Sequence, residues 1–178
     1  MTTQTWNIDT THSGVNFSVR HMVIAKVRGR FTRFSGSLSG DASDLTSAKL
    51  VAEVDADSID TNMSDRDAHL RSPDFFDAAT FPKLTFSSTR IERAGEGQYK
   101  AHGDLSIRGV TKPVVFDLAV HGQAKDPWGN DRTAFTLETS IDRSDFGLRW
   151  NQDLDLGGIV VGDEIRIVGH VESVRVTH

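Results

Sequence analysis

Alternation of apolar and polar residues with a period of two is the feature that most constrains this sequence. Val15, Phe17 and Val19 occupy every second position between polar neighbours, as in a strand with one buried and one solvated face. The same pattern recurs in segments that begin at Leu50, Tyr99, Val114, Phe135 and Ile165. Regular strands joined by short turns predict an all-β protein in which neighbouring strands run antiparallel.

About eight strands are predicted, and two features favour their closure into a barrel. Between Val27 and Leu38 the apolar phase slips by one residue, which predicts a β-bulge and a sharp bend. Glycines in this stretch suit corners where a sheet curls around. The sequence therefore predicts an eight-stranded antiparallel barrel, whose interior is either filled by side chains or holds one small ligand. No linker or repeat interrupts the run, so residues 1–178 are expected to form one domain.

One segment departs from the strand pattern and predicts a short helix around residues 64–72. Ser64 is a residue type that caps helix N-termini. Pro73 ends the helix, because the residue before a proline is disfavoured in the α conformation. Phe75 and Phe76 follow directly and supply an apolar end. A short helix with such an end, inserted into an all-β chain, is expected to cover part of the barrel.

The composition argues against several classes of protein. The chain has no Cys, so disulfides, thiol nucleophiles and thiolate metal sites are excluded. A formal net charge of −5 gives no overall electrostatic footprint for nucleic acid or an anionic membrane surface. No apolar run approaches the roughly 20 residues that span a bilayer, so no stable membrane insertion is expected. The N-terminal residues do not resemble a secretory signal, which predicts a cytoplasmic protein.

The sequence contains no phosphate-binding loop, zinc motif or nucleophile elbow. Asp65, Asp67 and His69 lie close together in the predicted helix, where a solvated face next to the helix dipole is favoured over a metal site. We therefore expect no metal, no cofactor and no enzymatic activity. An alternative is a barrel enzyme acting on a hydrophobic substrate through His21 and Glu138. It is disfavoured because alternation places Glu138 on the outer face.

Three polar side chains are candidates for contacts with the head group of a ligand. His12 and His21 flank one predicted strand, and His21 falls on its apolar face. A structural histidine with satisfied hydrogen bonds is the alternative interpretation of His21. Arg66 lies in the predicted helix and could contact a head group at the mouth of the barrel. The arginines within residues 28–33 suit a solvated outer face, with contact to an anionic head group as the alternative.

Several stretches of the chain, in order, resemble the YceI-like proteins, a bacterial polyisoprenoid-binding family. The matching stretches are residues 6–17, 19–21, 29–31, 66–77, 81–88, 103–113 and 143–147. The resemblance implies a lipocalin-like antiparallel barrel with the helix beside it and an elongated apolar tunnel inside. It also implies a non-enzymatic homodimer that binds a long isoprenoid chain, such as a polyprenyl phosphate or an isoprenoid quinone. Many members of that family carry an export signal and act in the periplasm.

The leading prediction is therefore binding, storage or transport of an isoprenoid lipid inside the barrel. An apolar tunnel suffices for affinity, since burying apolar surface contributes roughly 25 cal/mol per Å². The ten Phe against one Tyr suit a dry interior, because Phe carries no polar group. The alternative is a structural or interaction barrel with a filled core. Beside the three polar candidates, the predicted lining residues are Phe17, Val19, Phe31, Leu70, Phe76, Leu84, Phe86, Leu105, Phe116, Phe135 and Ile167.

Overall fold

The computed structural model describes residues 3–22, 24–152 and 161–177, and an antiparallel sheet dominates these ranges. The strands are β1 (Gln4–Ile8), β2 (Gly14–His21), β3 (Ala25–Phe31), β4 (Phe34–Asp41), β5 (Asp44–Asp55), β6 (Ile59–Asp60), β7 (Lys83–Gly95), β8 (Gln98–Ile107), β9 (Val110–Lys125), β10 (Asp131–Asp142) and β11 (Val161–Arg175). Hydrogen bonding follows the order β1-β4-β5-β7-β8-β9-β10-β11, and β11 pairs again with β1. The predicted eight-stranded antiparallel barrel is confirmed.

The strands β2, β3 and β6 continue the sheet beyond this ring. They do so because β11, which pairs with β10 along one edge, is long enough to pair with both β1 and β2 along the other. Its last residues pair with β1, and residues 161–170 pair with β2. The 3₁₀ helix Thr10–His12 separates β1 from β2. In the same way, β3 pairs with β2 and β6, whereas β4 pairs with β1 and β5. One long stretch of extended chain is thus divided into β1 and β2, and a second is divided into β3 and β4.

The apolar phase slip in the sequence corresponds to the division between β3 and β4. The predicted bulge within one strand is wrong, because the chain leaves the sheet after Phe31 and re-enters it at Phe34. Two residues outside the ladder shift the alternation by one position, which is the pattern that the sequence shows. Register shifts within paired strands do occur elsewhere, for example between Ala134 and Phe135 in β10.

The helix, α1, spans Ser64–Arg71 and confirms the predicted helical segment. The prediction that Ser64 caps the helix is wrong, because Met63 occupies the N-cap position and no side chain accepts a capping hydrogen bond. The helix ends at Arg71, and Ser72 adopts an extended conformation before Pro73, as expected. Across the described ranges, no helix combines the length and the apolar character needed to cross a bilayer.

Inward-facing side chains from most strands of the ring form the main hydrophobic cluster. Strand β8 shows the underlying alternation most clearly. Its buried positions include Tyr99, Ala101 and Leu105, while Lys100 between them is exposed and forms an ion pair with Asp117. The alternation in the sequence therefore corresponds to an inner and an outer face of the barrel.

Candidate functional site: an apolar cavity inside the barrel

An apolar cavity of about 150 Å³ lies inside the barrel. Most of its wall consists of Phe, Leu, Ile and Val side chains from the strands, completed by Phe76 after the helix and by Leu148. The polar residues on the wall are Asn16, Ser35 and Thr85. Among the described residues, no ionisable side chain lines the cavity. The site therefore offers apolar contact, with few groups that could bind a charged or strongly polar ligand.

Most of the predicted apolar positions lie on this wall. Those that line the cavity are Phe17, Phe31, Phe76, Leu84, Phe86, Leu105, Phe116 and Ile167. Three others do not line it. Val19 lies farther along β2, opposite Val27, and Leu70 packs against the main cluster from the helix. Phe135 is only 2% exposed and lies between Val120 of β9 and Val171 of β11, of which Val171 lines the cavity. Whether any of these residues contacts a ligand stays a prediction.

The sequence-based selection also missed part of the wall. The omitted apolar residues include Ile8, Val15, Phe34, Leu50, Val54, Ile107, Leu137, Ile141, Leu148, Ile165 and Val171. Most share an alternating face with a residue that was selected, so the period-two pattern would have found them. Leu148 is different, because it follows the 3₁₀ helix Arg143–Phe146, where no strand pattern applies.

Aromatic rings form a continuous row along one side of the cavity. The ring centroids of Phe17 and Phe31 are 5.6 Å apart, and those of Phe31 and Phe76 are 5.8 Å apart with nearly perpendicular planes. Phe86 of β7 and Phe116 of β9 form a separate pair that packs edge to face, with ring centroids 4.8 Å apart. These separations fall in the favourable range for aromatic pairs. The row connects β2 and β3 to the segment after the helix, so that segment contributes directly to the cavity wall.

Gly103 of β8 leaves room for the ring of Phe86, which lines the cavity. A Cβ atom at Gly103 would come within 2.6 Å of the Phe86 ring and 2.5 Å of the Ser87 carbonyl oxygen. Such contacts are far inside van der Waals distance, so any side chain at this position would displace the ring. With glycine there, the ring of Phe86 occupies space next to the backbone of β8 and forms part of the wall.

A hydrogen-bond network fixes the helix to the end of β6. The buried carboxylate of Asp67 accepts hydrogen bonds from the backbone N–H of Thr61 at 2.9 Å and from its hydroxyl group. Arg66 donates from Nε to Thr61 Oγ1 and from Nη2 to Thr61 O, both at 2.8 Å. Arg71 donates to the carbonyl oxygens of Asp57 and Ile59. The helix is therefore tied to the chain segment before it.

This network changes the interpretation of two predicted residues. Arg66, a candidate for contact with a head group, does not line the cavity and uses its guanidinium to hold Thr61. The expectation that Asp67 belongs to a solvated helical face is wrong, since Asp67 is 6% exposed. His69 donates a hydrogen bond from Nε2 to Asp74 Oδ2 at 2.8 Å. In the described ranges, no group of three or more His, Asp or Glu side chains could hold a metal ion.

The two histidines that flank the predicted strand lie at opposite ends of β2 and outside the cavity wall. His12 is exposed, and its Nδ1 lies 2.8 Å from Asp9 Oδ2. That hydrogen bond and the charge of Asp9 raise the pKa of His12 above its ordinary value. His21 is half-buried at the end of β2, where it pairs with Ala25 and Val161. Neither placement brings an imidazole into contact with the apolar wall.

The residues proposed for the enzyme alternative are also separated. Glu138 is partly exposed on the barrel surface, where its Oε1 accepts a hydrogen bond from Arg166 Nε at 2.7 Å. Neither Glu138 nor His21 lines the cavity. The geometry therefore provides no converging acid–base pair at this site from those two residues.

Arg143 holds one end of the cavity wall in place. Its guanidinium is almost completely buried and donates to the carbonyl oxygens of Leu148, Trp150 and Gly162 at 2.7–2.9 Å. Burial lowers the pKa of Arg143, although the nearby carboxylate of Asp163 opposes that shift. Since Leu148 lines the cavity, these hydrogen bonds position part of the wall that carries no strand pattern.

Comparisons with known proteins agree with this architecture. The family model described as the YceI-like domain matches residues 6–173. A UPF0312 protein of Shewanella baltica is 39% identical over 164 residues, which cover 92% of this chain and 83% of that protein. The crystal structure of Burkholderia cenocepacia BcnA superimposes with a TM-score of 0.81 at 25% identity, covering 93% of this chain and 98% of BcnA.

A second solved structure shares the fold. It is a polyisoprenoid binding domain from Saccharophagus degradans implicated in plant cell wall breakdown, with a TM-score of 0.73. Its sequence is 18% identical, and the superposition covers 95% of this chain and 97% of that domain. The structural likeness and the match of the family model across residues 6–173 agree. The chain belongs to the YceI-like family.

Proposed function

We propose that this protein binds a long isoprenoid lipid inside its barrel and stores or transports it without chemical conversion. The observation that carries the proposal is the apolar cavity, whose wall has no ionisable side chain among the described residues. The Saccharophagus degradans domain with the same fold is described as polyisoprenoid binding, which supports the same ligand class here. A polyprenyl phosphate and an isoprenoid quinone share the branched apolar chain that such a wall recognises.

The energetics of an isoprenoid chain suit this site. Burial of one CH₂-sized group contributes about 0.8 kcal/mol, so a five-carbon prenyl unit contributes up to about 4 kcal/mol. Two buried units thus offer about 8 kcal/mol, the free energy of micromolar binding, before the cost of association is subtracted. The affinity needs no polar contact deep in the barrel, and a head group can remain near the surface.

The size of the cavity determines what must move. A cavity near 150 Å³ accepts a ligand of about the size of benzene, whereas typical ligand pockets measure about 300–1,000 Å³. A long chain therefore enters only if lining side chains change rotamer. We expect the row formed by Phe17, Phe31 and Phe76 to move, because it joins the strands to the segment after the helix.

A structural barrel with a filled core is the second candidate, and the small cavity volume is the observation that favours it. Native mass spectrometry after mild extraction distinguishes the two. The lipid-binding proposal predicts an adduct with the mass of an isoprenoid lipid, or uptake of a polyprenyl chain supplied in detergent. Recovery of the intact protein without an adduct, together with no uptake, would favour the filled core.

The homodimer and the cytoplasmic location expected from the sequence stay predictions. Sedimentation equilibrium measures the mass of the protein in solution, and cell fractionation with a periplasmic marker gives the location. A monomer in the first experiment would contradict the expected dimer but leave lipid binding within one barrel untouched.

A further inference from the structure

We propose that the end of the β2–β3 hairpin docks on the surface of an anionic phospholipid membrane. The proposal deepens the proposed function and rests on it, because isoprenoid lipids reside in bilayers and a carrier must reach them there. The docking surface consists of Met22 and Ile24 at the turn and of Lys26 and Arg28 on the outer face of β3. It is called the hairpin tip below.

Exposed apolar side chains mark the tip. Ile24 is 92% exposed and Met22 is 47% exposed, among the few large apolar residues that the barrel leaves in solvent. Met22 also has a positive φ of 54°, which is unusual for a residue other than glycine. Its backbone conformation therefore departs from that of the strand. Two exposed apolar residues at one turn are suited to entering the interface of a bilayer.

Cations flank this apolar tip on one face of the hairpin. From residue 14 to residue 31 the sequence contains four Lys or Arg and no Asp or Glu, although the whole chain has a net charge of −5. Lys26 and Arg28 are both exposed on β3. This face of the hairpin is therefore cationic within an acidic chain, which suits an anionic partner.

The neighbouring carboxylates leave two of these cations available. Arg30 forms an ion pair with Asp60. At the start of β11, Asp163 forms an ion pair with Arg143, with 3.7 Å between Oδ1 and Nη2. Lys26 and Arg28 form no ion pair with any residue in the described ranges. Glu164 is also exposed at this end and reduces the local positive charge without removing it. Charge complementarity thus favours an anionic lipid surface.

The position of the tip relative to the cavity fits loading from a membrane. Strand β2 contributes Val15 and Phe17 to the cavity wall and then continues to His21, directly before the tip. On β11, Ile165 lines the cavity and pairs with Val19. The next pair in the register is Val161 with His21, directly before the turn. The hairpin therefore connects the lined interior to the proposed membrane contact along one continuous strand.

Vesicle co-sedimentation tests the proposal. The probes are unilamellar vesicles of phosphatidylcholine alone and of phosphatidylcholine containing phosphatidylglycerol, both free of isoprenoid lipid. We expect the protein to sediment with the anionic vesicles only, and less at high salt because ions screen the attraction. The double variant Lys26→Ser/Arg28→Ser should lower partitioning about thirtyfold. Ile24→Asp should lower it about tenfold or more.

Matched variants control for net charge and for exposed apolar surface. Lys100→Ser/Lys125→Ser removes the same charge from other strands, and Trp128→Asp replaces an 81% exposed side chain in the turn between β9 and β10. Both should sediment like the unchanged protein. Equal binding of all variants, or no sedimentation with anionic vesicles, would overturn the proposal. So would a change of oligomeric mass in Ile24→Asp without weaker vesicle binding, since that result assigns the tip to a second copy of the chain.

Failure of docking and failure of lipid binding are distinguishable. Uptake of a polyprenyl chain from detergent requires only the cavity, whereas sedimentation with isoprenoid-free vesicles requires only the tip. A protein that takes up the chain but does not sediment overturns docking alone. One that sediments but takes up no chain overturns the proposed function alone. Circular dichroism and the thermal midpoint confirm that each variant is folded, as expected for substitutions of exposed residues.

Discussion

The ring of Phe17 lies against Gly29, its direct cross-strand partner on β3. A Cβ atom at Gly29 would come within 2.3 Å of Phe17 Cζ and within 2.9 Å of Thr61 Cγ2. Phe17 starts the row of rings along the cavity, and Thr61 anchors the helix. The missing side chain at one position of β3 thus allows the ring, the helix anchor and the strand to meet.

Gly29→Ala should therefore destabilise the protein, because the added methyl group displaces either the ring or the helix anchor. We expect a loss of about 1–3 kcal/mol in the free energy of unfolding, measured by urea denaturation. Gly95→Ala is the matched control, since a Cβ there would meet Gln98 at an ordinary 3.6 Å. A similar loss in both variants would argue against the close contact as the cause.

Ala52→Leu should reduce uptake of a polyprenyl chain, because Ala52 lines the cavity and a larger side chain fills part of it. Native mass spectrometry after incubation with the chain in detergent measures the fraction of protein that carries an adduct. The control is Ala124→Leu, which adds the same atoms at an exposed position of β9. If Ala52→Leu folds and takes up the chain as well as the control, the cavity is not the binding site.

Asp67→Ala should lower the free energy of unfolding by about 1–3 kcal/mol, because the backbone N–H of Thr61 loses its buried acceptor. The comparison is Asp65→Ala, an exposed acid in the same first turn, for which we expect a change within about 0.5 kcal/mol. Chemical denaturation of both variants gives the two values. Equal losses would assign the effect of Asp67 to the helix dipole instead of to Thr61.

Acid should weaken the fold partly through Asp9. Hydrogen bonds from Arg132 and His12 lower the pKa of Asp9 from 3.8 to about 2. A carboxylate whose pKa is depressed on folding stabilises the protein above its unfolded pKa, and this stabilisation is lost as the pH falls through the folded value. We therefore expect stability to decline between about pH 4 and pH 2. NMR titration of Asp9 gives its pKa directly.

Arg132→Gln removes the donor that lowers the pKa of Asp9 most, and it acts on Asp126 and Glu172 as well, because the same guanidinium pairs with both. The variant should be less stable near neutral pH, and its stability should fall less steeply between pH 4 and pH 2. An unchanged slope in that window would contradict the assigned cause of the Asp9 shift.

Local pattern was sufficient to predict the strand faces and the helix. Alternation of period two identified the inward residues of β8, since a strand exposes successive side chains to opposite faces whatever its neighbours are. The end of α1 before Pro73 follows from the geometry of proline and needs no tertiary contact. These features depend on residues that are adjacent or nearly adjacent in the chain.

Other features depend on distance in space, which alternation does not encode. Phe135 and Phe116 are both buried, yet only Phe116 lines the cavity, because alternation predicts that a side chain is buried and not which neighbours cover it. Arg66 was a candidate for a head group until the fold brought it to Thr61. The phase slip near Phe34 was visible in the sequence, but only the separate pairing partners of β3 and β4 show that it divides two strands.

The sequence by itself therefore determined the class of fold, the faces of its strands and the limits of its helix, because short-range sterics and burial control them. Only the tertiary structure decided which inward residues enclose the cavity and which polar side chains hold the helix. It also brought Gly29 beneath the ring of Phe17. Those outcomes depend on strand register and barrel closure, which join residues far apart in the chain.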